Sequence, residues 1–142
     1  MADLIKRFSI TARDFAKAGE SSLQIQSLLK SIGFDPDLIR RISICAYEAE
    51  MNAVMHGGDG EILLTVDPNN IVLEVSDAGI GIKDVELALR EGYSTATPEH
   101  REMGFGAGMG LPNINKSADS LTIDSSDRQG AHLKIRFEVK NC

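Results

Sequence analysis

Glu48 and Asn52 stand four residues apart in the run Glu48-Ala-Glu50-Met-Asn52, within a stretch whose pattern is helical. Residues at that spacing share one side of a helix, about one turn apart. On that side a carboxylate can take a proton from a hydroxyl, and an amide oxygen can ligate a hard cation. Taken alone, the pair is better read as part of a solvated helix face. A second group, Asp77-Ala-Gly79-Ile-Gly81-Ile82, follows the apolar run Ile71 to Ser76. Glycine lets backbone approach a flat ligand closely, and an ionised aspartate at a strand end accepts hydrogen bonds from an exocyclic amine. A plain turn is the competing reading. The third group, Gly104-Phe-Gly106-Ala-Gly108-Met-Gly110-Leu111, puts a glycine at every second position ahead of a helix. Successive N–H groups and a helix N-terminus together suit phosphate, whereas a hinge is the plainer alternative. No Gly-Lys-Ser/Thr follows, so this is not a Walker motif. It also follows a long loop rather than a strand, which argues against a dinucleotide fingerprint.

These groups need elements to hold them. Lys6 to Thr11 alternates, with Phe8 and Ile10 on one side, and predicts a first strand. A helix is expected from about Asp14 to Ile32, with Leu23, Ile25, Leu28, Leu29 and Ile32 at loose apolar spacing and Gly33 as its stop. The next helix has Asp35 as N-cap, Pro36 at its first position and Asp37 at the positive end of its dipole, and runs to Gly57-Gly58. Its core face is Leu38, Ile42, Cys45, Ala49 and Ala53. Glu48 and Asn52 fall on the border of that face and should look into a cleft. Glu50 turns well away from Glu48 and is expected in solvent.

Ile62 to Val66 and Ile71 to Val75 flank the turn cluster Asp67-Pro68-Asn69-Asn70 and predict a hairpin. A short helix near Asp84 to Arg90, a loop from Glu91 to about Ala107 and a helix from about Gly108 to Ser117 come before two closing strands. In the last strand Ala131, Leu133, Ile135, Phe137 and Val139 alternate with polar residues, which buries one face and places His132 on the solvated one. The expected fold is therefore α/β, a two-layer sandwich with a mixed, mostly antiparallel sheet and helices on one face.

Composition narrows the functional classes. A chain of 142 residues, 42% of them hydrophobic, suits one domain over 1–142. Of its 13 glycines, ten lie between Gly57 and Gly110. The net charge of −6 leaves no electrostatic footprint for nucleic acid or an anionic membrane. With no long apolar run and no secretory pattern at its start, the chain is expected in the cytoplasm. Cys45 and Cys142 have neither metal-ligand nor disulfide-framework spacing, so Cys45 reads as a buried thiol and Cys142 as part of a frayed terminus.

The three groups in this order resemble the N-box and the two glycine boxes of the GHKL ATPase superfamily, whose shared architecture is the Bergerat fold. That superfamily includes type II topoisomerase ATPase domains, a heat-shock chaperone, mismatch-repair proteins and histidine-kinase catalytic domains. The stretches NAVMHGGDGEI, DAGIGI, EGYSTA and GFGAGMGLPNI look most like the small anti-sigma-factor serine/threonine kinases, particularly the switch-kinase branch. The resemblance implies ATP and Mg²⁺ as cofactors. It makes Glu48 the general base and Asn52 the Mg²⁺ ligand beside the phosphates. It puts Asp77 on the adenine amino group, with Gly79 and Gly81 shaping the adenine pocket. Gly104, Gly106, Gly108 and Gly110, leading into Leu111, would wrap the phosphates. One departure stands out: Gly130 is followed by Ala131 where many members carry Thr, so adenine recognition is expected to be looser or to use another helper. His56 reads as a capping or supporting group and Arg101 as an exposed loop residue. Ser94 and Thr95 fit either a role at the phosphate side of the lid or simply its start.

Two functional readings follow from the resemblance. One is an ATP-dependent protein serine/threonine kinase acting on a small regulatory partner of the anti-anti-sigma kind. The other is a nucleotide-gated binding module that sequesters a sigma factor or activator with little turnover. A homodimer is compatible with both. A detached histidine-kinase catalytic domain fits less well, because the chain has no room for a helical segment bearing a phosphoacceptor histidine.

Overall fold

The computed structural model describes residues 4–11, 14, 16–56, 59–77, 110–125 and 131–139. Five strands, β1 (Leu4–Ile10), β2 (Gly60–Val66), β3 (Asn70–Asp77), β4 (Ser120–Ser125) and β5 (Ala131–Glu138), form one sheet in the order β1-β2-β3-β5-β4. Every pairing among these strands is antiparallel. The register puts Phe8 opposite Ile62, Ile62 opposite Val75, and Val75 opposite Leu133. One face of the sheet is therefore a continuous apolar surface, and the alternation read from the sequence sets it. Ile62, Leu64, Ile71, Leu73, Ile135 and Phe137 on that face are fully buried, each side chain contributing roughly 1.5–3 kcal/mol. The other face is mostly polar, although Ile5, Leu63 and Val72 also lie on it. There His132 is 43% exposed and lies 3.4 Å from Glu74, as expected of a surface residue.

Three described helices, α1 (Glu20–Ile32), α2 (Pro36–His56) and α3 (Gly110–Ser117), accompany the sheet. Ile25 and Leu29 of α1, Ile42 and Ala46 of α2, and Ile114 of α3 join the sheet's apolar face in one core. The expected segments near Asp84 to Arg90 and Glu91 to Ala107 lie outside the described residues.

α1 begins later than its sequence pattern suggests. Lys17 N–H donates to the Asp14 carbonyl and Glu20 N–H to the Lys17 carbonyl, so the chain turns before the helix. Gly19 closes this turn at φ 96°, a left-handed conformation that disfavours any side chain. Leu23 and Ile32, expected on the apolar face, are 64% and 48% exposed. α2 starts as its sequence dictates: the Asp35 carboxylate accepts the N–H groups of Asp37 at 3.1 Å and Leu38 at 3.2 Å. The hairpin turn also forms as expected, with Asp67 accepting the N–H groups of Asn69 and Asn70, both at 2.7 Å.

Candidate functional site

α2 and α3 run antiparallel, and two polar contacts mark their seam. The Arg41 Nε–H donates to the Ser117 carbonyl at 2.9 Å, and the Cys45 thiol lies 3.7 Å from the Ile114 carbonyl. One turn further along α2, Asn113 of α3 lies close enough to act on the Glu48 carboxyl. Glu48 and Asn52 are both half-buried, which matches their expected place on the border of the core face.

Burial pushes the Glu48 carboxyl above the usual glutamate range, and Asn113 draws it part of the way back. Cys45, wholly buried between the helices, has its thiol pushed up to about 12, chiefly by desolvation. A thiol with that pKa is inert at physiological pH and serves as packing. On the side of α2 away from this seam, a groove of about 590 Å³ reaches Glu48. Phe34, Ile39, Ile44 and Tyr47 line it together with Lys30 from α1.

Asp77 ends β3 and is half-buried. Its register partners are Gly60 on one side and Ala131 on the other. Gly60 begins the strand that follows α2, so Asp77 lies at the end of the sheet toward which α2 runs. A Cβ at Gly60 would clash with the Ser76 carbonyl oxygen and come within 3.0 Å of the Asp77 Cα. The absence of a side chain there thus sets the position of the Asp77 backbone. Ala131 is 5% exposed and belongs to the core.

Gly110 is the first residue of α3, and Leu111 is 7% exposed with its side chain in the core. What Leu111 can offer a ligand is therefore backbone. The first turn of α3 contains no acidic residue, whereas the first turns of α1 and α2 contain Glu20 and Asp37. Of the three described helices, α3 alone has an N-terminal end free of carboxylates in its first turn, which suits an external anion. Gly79, Gly81, Gly104, Gly106 and Gly108 lie outside the described residues. So do Ser94, Thr95, Arg101, Cys142 and the His56 side chain.

Glu50 corrects an expectation. It does turn away from Glu48, but it is 3% exposed rather than solvated. Its carboxylate accepts the Gly19 N–H at 3.1 Å, the Ser22 N–H at 3.1 Å and the Ser22 hydroxyl at 2.6 Å. α1 has no side-chain cap of its own, and Glu50 supplies one from α2. Asn113 is the residue missed by sequence reasoning. Its signal was a polar side chain between the apolar Leu111 and Ile114, in the first turn after the glycine run.

A model of the histidine kinase-like ATPase domain matches residues 12–137. The chain belongs to that family. Among its relatives, an anti-sigma F factor of Bacillus velezensis is 30% identical over 117 residues, covering 78% of this chain and 77% of the relative. An anti-sigma F factor of Thermoanaerobacter sp. (strain X514) is 31% identical over 108 residues, covering 71% of this chain and 72% of the relative. The solved RsbU and RsbW domains of a Mycobacterium tuberculosis protein superpose with TM-score 0.62 at 16% identity, covering 96% of this chain and 33% of that one. The Acinetobacter baumannii histidine kinase AdeS superposes with TM-score 0.54 at 16% identity, covering 96% and 68%. Both superpositions support the GHKL fold, and the relatives of 30% identity or more are named as anti-sigma F factors. Among the described residues no helix is long and apolar enough to cross a membrane.

Proposed function

We propose that this protein is an ATP- and Mg²⁺-dependent serine/threonine kinase that phosphorylates a small regulatory partner protein. The observation that carries this reading is the placement of Glu48. It is a half-buried carboxylate that lines a groove and stands one turn before Asn52 on α2.

The residues fit the nucleotide. Asn52 offers an amide oxygen near the end of α2, and Asp77 stands at the end of the sheet toward which α2 runs. The Asn52 amide oxygen suits Mg²⁺, which takes one or two protein oxygens and completes its octahedron with phosphates and water. In this reading Asn52 holds the metal, Asp77 with Gly79 and Gly81 holds the base, and Gly104, Gly106, Gly108, Gly110 and the Leu111 backbone hold the phosphates. When bound, MgATP supplies the γ-phosphoryl group and the charge neutralisation that in-line transfer requires.

The chain's own part is positioning and proton movement. The groove gives an acceptor hydroxyl its approach to Glu48, and Glu48 accepts the proton that the hydroxyl loses as its oxygen becomes the phosphate ester. A carboxylate with a raised pKa is a better base for that step than an exposed one. Incubating the protein with MgATP and a partner recovered by pull-down, then locating the phosphate by mass spectrometry, tests the reading. Phosphoserine or phosphothreonine on the partner is the expected result.

A second reading is supported by the relatives, which are named as anti-sigma factors. In it the protein is a nucleotide-gated module that sequesters a sigma factor or activator. Partner binding that depends on ATP and yields no phosphoprotein would favour it over the kinase.

A further inference from the structure

We propose that the groove along α1 and α2 docks the partner segment that carries the phosphoacceptor, and that it selects apolar side chains with a carboxylate about four residues from the acceptor hydroxyl. This deepens the kinase reading and rests on it for the identity of the acceptor, although the binding preference itself does not.

The groove lies along a helical hairpin. α1 ends at Ile32 and α2 begins at Pro36, so Lys30 in the last turn of α1 stands beside the first turns of α2. At the far end of the hairpin, a Cβ on Gly19 would lie 3.6 Å from the Tyr47 ring, which brings Tyr47 back to the start of α1. Between these ends the groove follows a stripe of α2 residues three and four apart, from Pro36 through Ile39 to Glu48. Its walls are largely apolar: Ile39 is buried, Phe34 and Ile44 are half-buried, and Tyr47 is 44% exposed. At about 590 Å³ it is as large as pockets that enclose whole small ligands. Apolar side chains of a bound segment would cover the Tyr47 ring and the walls beside it.

Charge gives the groove a direction. Lys30 and Arg40, both exposed, line it near the turn between the helices, whereas Glu48 lines it at the other end. Arg40 pairs with Asp37 at 3.0 Å, but the two side chains are 66% and 68% exposed, and an ion pair in that setting contributes little. The guanidinium can therefore turn to a second carboxylate. The Asp35 carboxylate is engaged by the N–H groups of Asp37 and Leu38 and is not part of the lining. In a chain of net charge −6, two cations at one end of an apolar groove match an acidic residue on a partner. The same residue at the other end would meet Glu48 and be repelled. Arg40 and Glu48 are about 12 Å apart along the axis of α2. An extended segment crosses that distance in about four residues, which sets the spacing between its carboxylate and the hydroxyl delivered to Glu48.

Synthetic peptides test this with the full chain. The probes are fluorescein-labelled peptides of leucine and alanine with one serine, in which a single glutamate occupies successive positions on either side of the serine. Fluorescence anisotropy reads their binding, and mass spectrometry after incubation with MgATP reads phosphate on the serine. Binding should be tightest with the glutamate about four residues from the serine on one side, and should weaken when alanine replaces the leucines. Lys30→Glu combined with Arg40→Glu should weaken that peptide about tenfold, and lysine in place of the peptide's glutamate should restore binding to the doubly substituted protein. Binding that ignores the glutamate's position overturns the proposal, as does no binding at all or a charge reversal that the lysine peptide fails to rescue. Phosphate appearing on every peptide alike would leave the kinase reading in place and remove the docking groove. A preferred peptide that binds as expected but receives no phosphate would keep the groove and remove the kinase reading.

Discussion

At Glu48, burial acts against the charged form and the Asn113 amide acts for it, with burial the larger effect. Two consequences have opposite signs. Proton acceptance needs the ionised carboxylate, so the acid limb of the pH–rate profile should lie above the range of an exposed glutamate. Phosphotransfer measured from pH 4 to 9 checks this, and a limb near pH ~4.3 would show no perturbation. Stability moves the other way. A carboxyl whose pKa is higher folded than unfolded favours the fold at low pH, and that contribution is lost as pH rises through the folded value. Glu48→Gln should therefore match wild type at low pH and exceed it in denaturant midpoint at neutral pH, while losing activity. Glu50 behaves differently, because its charge is satisfied by three donors from Gly19 and Ser22. Glu50→Ala should cost about 3 kcal/mol in urea unfolding, since it leaves buried N–H groups unpaired. The helical wheel gave the direction in which Glu50 points. It could not give what packs there, because the open donors belong to a turn 28 to 31 residues earlier that is closed by a positive-φ glycine.

Among the elements, the strands were the most legible, because alternation in β2, β3 and β5 directly records which face the helices cover. The start of α1 was less so: the residues from Asp14 onward carry helical spacing, yet the turn hydrogen bonds at Asp14 and Lys17 consume them first. The α2–α3 seam was not legible at all as a contact. Local spacing places Glu48 on a border, while its partner Asn113 comes from a helix 65 residues later whose docking depends on Arg41 and Cys45. Gly60 is the clearest test of how an element positions the site. Gly60→Ala cannot be accommodated without moving the Ser76–Asp77 backbone, and overpacking of this kind costs roughly 1–3 kcal/mol. We expect a lowered melting temperature together with weakened ATP binding by calorimetry. Lost stability with unchanged nucleotide affinity would separate Asp77 from the nucleotide.

For the molecule as a whole, one sheet face gathers three helices into one core, and the topology brings the ends of α2 and β3 and the start of α3 toward one another. The net charge of −6 gives that region no general attraction for a triphosphate, so binding must be local: a metal, backbone N–H groups and an acid-free helix end. The glycine clustering legible in the chain fits this requirement, and membership of the histidine kinase-like ATPase family agrees with it. The central claim is that Glu48 turns this nucleotide site into a kinase. Its most direct test is the rate of γ-phosphate transfer from MgATP to serine or threonine of the recovered partner, compared between wild type and Glu48→Ala at equal ATP occupancy. The account predicts a loss of at least about 100-fold in the variant. Equal rates would contradict it.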